Sequence, residues 1–166
     1  IEKVEEEEGG ILSHNTASYT DDEVFYLFYG KSFNPKADQK TKYIKMRGRK
    51  VYEFALTNVP AAMKDCLDMA NTDISEVKKI LIHQANAKMD DAIVKRLYKL
   101  FNSDSPEKVM PLTVDRFGNS SVATVPTMYD LIVRNKLGVH KIEKGDKIIF
   151  ASVGAGMHIN AMVYQY

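Results

Sequence analysis

Val51, Ala55, Val59, Ala62, Met63, Cys66, Leu67 and Ala70 recur at three- and four-residue spacing, which lines them up on one face of a helix between Gly48 and Asn71. Pro60 lies inside that stretch and, having no N–H, is expected to kink or split it. The short apolar run Lys79 to Ile82 reads as a strand ending at His83, and the stripe Met89, Ile93, Leu97, Leu100, Phe101 predicts a helix after it. The alternation then repeats. Val109 to Thr113 predicts a strand, and Val122, Val125, Tyr129, Ile132 and Val133 predict a helix with those residues facing one way. Ile148 to Val153 and His158 to Tyr164 predict two closing strands, joined tightly through Gly154-Ala155-Gly156. Near the start, Gly10 to Tyr19 suits an edge strand, whereas Phe25 to Lys42, with Asn34-Pro35 and a polar run, reads as an irregular surface connection. Strands alternating with helices predict an α/β fold: a mostly parallel sheet covered by helices, with the last pair adding an antiparallel strand. In such sheets the loops leaving the C-terminal ends of parallel strands collect functional groups.

Composition narrows this picture without changing it. The chain has 166 residues, 45% of them hydrophobic, enough for one ordinary core and so for a single domain over residues 1–166. Lys plus Arg number 23 against 22 Asp plus Glu, so no global charge argues for nucleic acid or an anionic membrane, although a local basic patch is compatible with the total. No long apolar stretch predicts a membrane span, Ile1 to Gly10 is acidic where a secretory leader would be basic and then apolar, and Glu5–Glu8 suits a solvated turn. A start at Ile1 without Met predicts that the protein extends further upstream. The lone Cys66 forms no internal disulfide, fits a reducing compartment such as the cytoplasm, and sits in a helix's apolar stripe, which favours core over nucleophile. His14, His140 and His158 show no metal-ligand spacing with one another or with Cys66, so no metal is expected.

Two strand-to-helix junctions carry the candidate chemistry. His83-Gln84-Ala85-Asn86 crowds three strongly hydrogen-bonding side chains around a small residue; taken alone it fits either a ligand-facing imidazole or a core histidine followed by an Asn helix cap. Phe117-Gly118-Asn119-Ser120-Ser121 likewise offers either an amide aimed at developing negative charge or a plain cap. Gly154-Ala155-Gly156 lacks the spacing and context of a nucleotide loop.

The order of motifs is more specific than any of them. Met46-Arg47-Gly48, Val51-Tyr52-Glu53-Phe54-Ala55, His83-Gln84-Ala85-Asn86, Asp115-Arg116-Phe117-Gly118-Asn119-Ser120-Ser121 with Val125-Pro126, Lys144-Gly145-Asp146 and Gly154-Ala155-Gly156 together resemble the C-terminal half of β-ketoacyl-acyl-carrier-protein synthase III, in the thiolase-like superfamily. The resemblance implies a thiolase-like half: a five-stranded mixed sheet with helices on its faces, normally paired with a first half that carries a nucleophilic Cys and is absent here. It implies a cytoplasmic acyltransferase of fatty acid biosynthesis that condenses an acyl-CoA primer with malonyl-acyl-carrier protein, uses no cofactor and assembles as a homodimer when full length. A thiolase-superfamily ketosynthase of specialised lipid or polyketide metabolism is the alternative, because Met157-His158-Ile159-Asn160 stands where the family commonly has Thr-Trp-Gly. His83 and Asn119 match the family's catalytic pair. Decarboxylation places charge on a thioester oxygen, and a neutral imidazole donating from Nε2 together with a carboxamide N–H would stabilise it. By the same resemblance Gly48, Tyr52 and Asn86 line the pantetheine arm, and Lys88, Lys95 and Arg96 meet an acidic carrier protein.

Overall fold

A computed structural model describes residues 9–166; the acidic run Glu5–Glu8 lies outside the described residues. Strand β1 (Gly10–Ser18) is followed by a 3-10 turn, β2 (Leu27–Lys31), β3 (Lys42–Met46) and helix α1 (Gly48–Met69). Then come β4 (Val77–Ile82), α2 (Ala87–Lys99), the single turn α3 (Val114–Phe117), α4 (Thr124–Val133), β5 (Lys147–Gly154) and β6 (His158–Gln165). The main sheet runs β1-β6-β5-β4, with β4 parallel to β5, and β6 antiparallel to both of its neighbours. The α/β class, the edge position of β1 and the closing antiparallel pair match the sequence reading, but the sheet is not mostly parallel: of its three strand pairs only β4–β5 is parallel, because β6 runs against both neighbours.

Residue alternation along the strands feeds two cores. Ile80 and Ile82 of β4 and Ile149 of β5 point to the side covered by α1 and α2, where Met63, Cys66, Leu67, Ile93 and Leu97 are buried. Leu81 and Ile148 point to the other side, which α4 covers with Met128 and Ile132, joined by Leu137 just beyond it. That second side is thin. It leaves Val125, Tyr129, Phe150, Tyr164 and Tyr166 half-buried, with Tyr129 meeting Phe150, Tyr164 and Tyr166 edge to face.

Four further expectations are corrected. First, the main sheet has four strands, because Val109–Thr113 forms no ladder. One backbone bond, from the Ile80 N–H to the Val109 carbonyl (3.0 Å), remains where a fifth strand would lie, and Pro111 has no N–H with which to continue it. Second, Phe25 to Lys42 is ordered: β2 and β3 pair antiparallel as a separate two-stranded ribbon. The ribbon leaves Phe33 86% and Tyr29 71% exposed, and Lys45 Nζ lies 3.8 Å above the Phe33 ring. From Lys31 to Lys50 the only acid is Asp38, so charges that cancel over the chain still cluster locally.

Third, α1 is continuous through Pro60. The missing proline N–H would leave the Leu56 carbonyl without its donor four residues on, and Arg96 of α2 supplies one instead, Nη1 to oxygen at 3.1 Å. Arg96→Met should therefore lower unfolding stability by about 1.5 kcal/mol, the lower end for a charge-assisted bond because the side chain is partly solvated. Urea titration checks this, and an unchanged midpoint would assign the guanidinium no such role. Fourth, some stripe residues face water. Val122 is 91% exposed and Leu100 and Val133 are also exposed, while Val94, Tyr98 and Met128 fill the interior in their place. No helix among the described residues is long and apolar enough to cross a membrane.

Candidate active site

Connectivity gathers the candidate residues at one edge. Helix α1 leads through a short turn into β4, α2 returns from the end of β4, and α4 returns toward β5, so each starts at the C-terminal edge of the parallel strands. The Arg96–Leu56 bond, well down both α1 and α2, fits helices that start together. Gly48, His83, Asn86 and Asn119 stand at those starts.

His83 is held by the last rung of the parallel ladder, its backbone N–H donating to the Ala151 carbonyl at 2.9 Å. Its half-buried ring places Nδ1 3.2 Å from the Ser121 carbonyl oxygen. A carbonyl only accepts, so Nδ1 carries the proton, and in the neutral ring Nε2 then presents a lone pair. With Nδ1 bonded in this way, donation from Nε2 requires the imidazolium.

Asn119 approaches the same residue from the other side. Its Oδ1 accepts from the Ser121 N–H at 2.9 Å, leaving the exposed side chain's NH2 as a donor with no partner among the described residues. Gly118 makes the turn possible: φ 64° with ψ −166° is a conformation that a side chain strongly disfavours. Imidazole and carboxamide thus grip the two polar groups of one residue, with one amide edge free.

The other sequence-derived positions are scattered around this edge. Asn86 caps α2, its Oδ1 accepting from the Met89 N–H at 2.9 Å, and its side chain is exposed. Gly48 opens α1, and a Cβ there would meet only the Met46 side chain at 3.9 Å, so packing does not demand glycine. Tyr52, one turn on, is 41% exposed. Lys88 is exposed, Lys95 pairs with Asp91 at 2.7 Å, and Arg96 is tied to Leu56. Cys66 is fully buried, and burial pushes its thiol up to about 11, which removes it as a thiolate near neutrality.

Two buried polar residues near the site receive no role of their own from the sequence. Gln84 is wholly buried beside His83. Asp90, in the first turn of α2, is also fully buried, neither carboxylate oxygen has a hydrogen-bond partner among the described residues, and burial pushes its pKa up to about 7. Its position on the stripe that continues to Ile93, Val94 and Leu97 was a visible signal.

With this geometry in place, the family described as 3-Oxoacyl-[acyl-carrier-protein (ACP)] synthase III C terminal matches residues 67–166. The chain belongs to that family. It is 32% identical over 174 residues to the Beta-ketoacyl-[acyl-carrier-protein] synthase III of Lactobacillus helveticus, covering 95% of this chain and 50% of that protein. The synthase III of the same name from Erythrobacter litoralis is 33% identical over 132 residues, covering 80% and 38%. The chain spans half or less of the length of these curated relatives. The crystal structure of synthase III from Thermus thermophilus superposes with a TM-score of 0.78 at 25% identity, over 99% of this chain and 48% of that one. The Priming beta-Ketosynthase from the R1128 Polyketide Biosynthetic Pathway superposes at 0.77 and 22% identity, over 94% and 45%, a likeness of fold.

Proposed function

We propose that this chain, as one domain over residues 1–166, is the C-terminal half of a β-ketoacyl-acyl-carrier-protein synthase III that condenses an acyl thioester with malonyl-acyl-carrier protein in fatty acid biosynthesis. The observation that carries the reading is the meeting of His83 and Asn119 on Ser121, with the Asn119 NH2 left free. Malonyl-thioester decarboxylation releases CO2 and leaves the electron pair on Cα, delocalised onto the thioester oxygen as an enolate. The Asn119 NH2 and an imidazolium Nε2–H of His83 stabilise that oxygen. Cα then attacks an acyl thioester held on a Cys in the first half and expels the thiolate.

The first half is proposed to pack on the thin α4 side of the sheet, where Val125, Tyr164 and Tyr166 are half-buried. Gly48, Tyr52 and the Asn86 NH2 would receive the pantetheine arm of the carrier or of acyl-CoA. For the acidic carrier protein, Lys88 is the strongest of the three cations, because Lys95 and Arg96 already have partners. The basic ribbon, which ends directly before Gly48, adds positive potential at the same edge. The full-length enzyme is proposed to be a cytoplasmic homodimer that uses no cofactor.

Incubated alone with acyl-CoA and malonyl-carrier protein, the 166 residues should yield no condensation product, since the buried Cys66 offers no thiolate. Robust turnover by this chain would overturn the assignment of the nucleophile to a first half. With both halves present, elongation of a short acyl-CoA primer supports fatty-acid initiation, and a different product supports the specialised-metabolism alternative.

A further inference from the structure

We propose that Gln84 is a positioning residue, whose buried carboxamide holds the segment Pro111 to Val114 and, through it, the turn that sets Asn119 against His83. The inference rests on the decarboxylating role proposed for that pair. Gln84 Oε1 accepts from the Thr113 N–H at 2.8 Å, the Val114 N–H at 3.0 Å and the Thr113 hydroxyl at 3.2 Å. Its Nε2 donates to the Pro111 carbonyl at 2.7 Å and lies 3.3 Å from the Met128 sulfur of α4. The amide's hydrogen-bonding capacity is essentially filled.

The segment it holds has no ladder of its own, and Pro111 and Thr113 are buried, so these backbone groups depend on the side chain. From Val114 the path to Asn119 is short and stiff. The Phe117 N–H donates to the Thr113 carbonyl at 2.9 Å and the Gly118 N–H to the Val114 carbonyl at 3.0 Å, after which the Gly118 turn presents Asn119. Gln84 also follows His83 directly on extended chain, where successive side chains point oppositely: the imidazole outward to the site, the amide inward. One dipeptide therefore supplies one member of the pair and anchors the other.

The test uses the protein with both halves and two variants: Gln84→Met, which keeps the volume and removes the amide, and Thr113→Val, which deletes one bond from the opposite side and endangers folding least. Three quantities are measured: acyl transfer from acyl-CoA to the nucleophile, CO2 release from malonyl-carrier thioester, and backbone N–H exchange at Thr113, Val114 and Ser121. For Gln84→Met, acyl transfer should stay within about twofold while kcat for decarboxylation falls about 10- to 100-fold at similar KM, as misplacement of a reacting group does. Exchange at Ser121 should quicken with that at Thr113 and Val114. Thr113→Val should show the same selectivity at about a few-fold. Equal losses in both half-reactions would overturn the proposal, as would full decarboxylation alongside fast exchange at Thr113 and Val114. Should the parent protein release no CO2, the functional reading fails separately, and Ser121 exchange decides alone: protection lost on substitution supports positioning, and protection kept refutes it.

Discussion

Substituting His83→Ala or Asn119→Ala in the protein with both halves should lower CO2 release from a malonyl thioester by about 100- to 1000-fold each. Charge appears on the thioester oxygen only as the C–C bond breaks, so a donor fixed beforehand stabilises the transition state more than the bound substrate. The loss belongs in kcat rather than KM. The two residues grip one backbone unit, the Ser121 carbonyl and N–H, so they act together and the double variant should lose less than the product of the two single losses. Acyl transfer to the first half's Cys, measured in the same preparations, should be spared. Unchanged CO2 release in both single variants would leave this half a structural or carrier-docking domain.

Asp90→Asn should remove a pH effect on stability. The folded-state pKa of Asp90 is pushed up to about 7 by burial, against a smaller opposing pull from the Ala85 backbone N–H, which falls short of hydrogen-bond geometry. An unfolded Asp titrates near about 4. Between those values the folded protein holds a proton that the unfolded chain has released, so the group's contribution to stability falls as pH rises through the window and is level above it. Between pH 5 and pH 8 the parent should lose about 2 kcal/mol relative to Asp90→Asn, a figure that allows for water reaching the first turn of α2. Urea unfolding of both proteins at the two pH values measures this, and a constant difference between them would show that the carboxyl does not titrate there. The position lies one turn from the Asn86 cap, which puts this buried carboxyl close to the candidate site.

The long helices were legible because their apolar residues recur with the helical period over many turns. α1 ends at Met69, two residues short of the expected limit, where Asn71 adopts φ 47°. β4, β5 and β6 were legible as short apolar runs between turn residues. The β2–β3 ribbon was not, because no residue in it is fully buried, and without a buried side there is no clean alternation to read. Val109–Thr113 failed for the opposite reason: its residues look like a strand, but the backbone groups that would build a ladder are taken by Gln84.

By itself the sequence determined the α/β class, the long helices and the strands β4, β5 and β6 between them, the edge strand and closing pair, the core placement of Cys66, and the two loops where His83 and Asn119 stand. Periodicity and turn chemistry are local, so a linear pattern can carry them. Only the tertiary structure decided that Arg96 satisfies the carbonyl orphaned by Pro60, that Asp90 is sealed without partners, that Gln84 holds the Pro111 to Val114 segment, and that the His83 ring bonds Ser121 through Nδ1. Each of these joins groups distant along the chain, and whether a polar atom finds a partner depends on which elements meet, which no periodicity encodes.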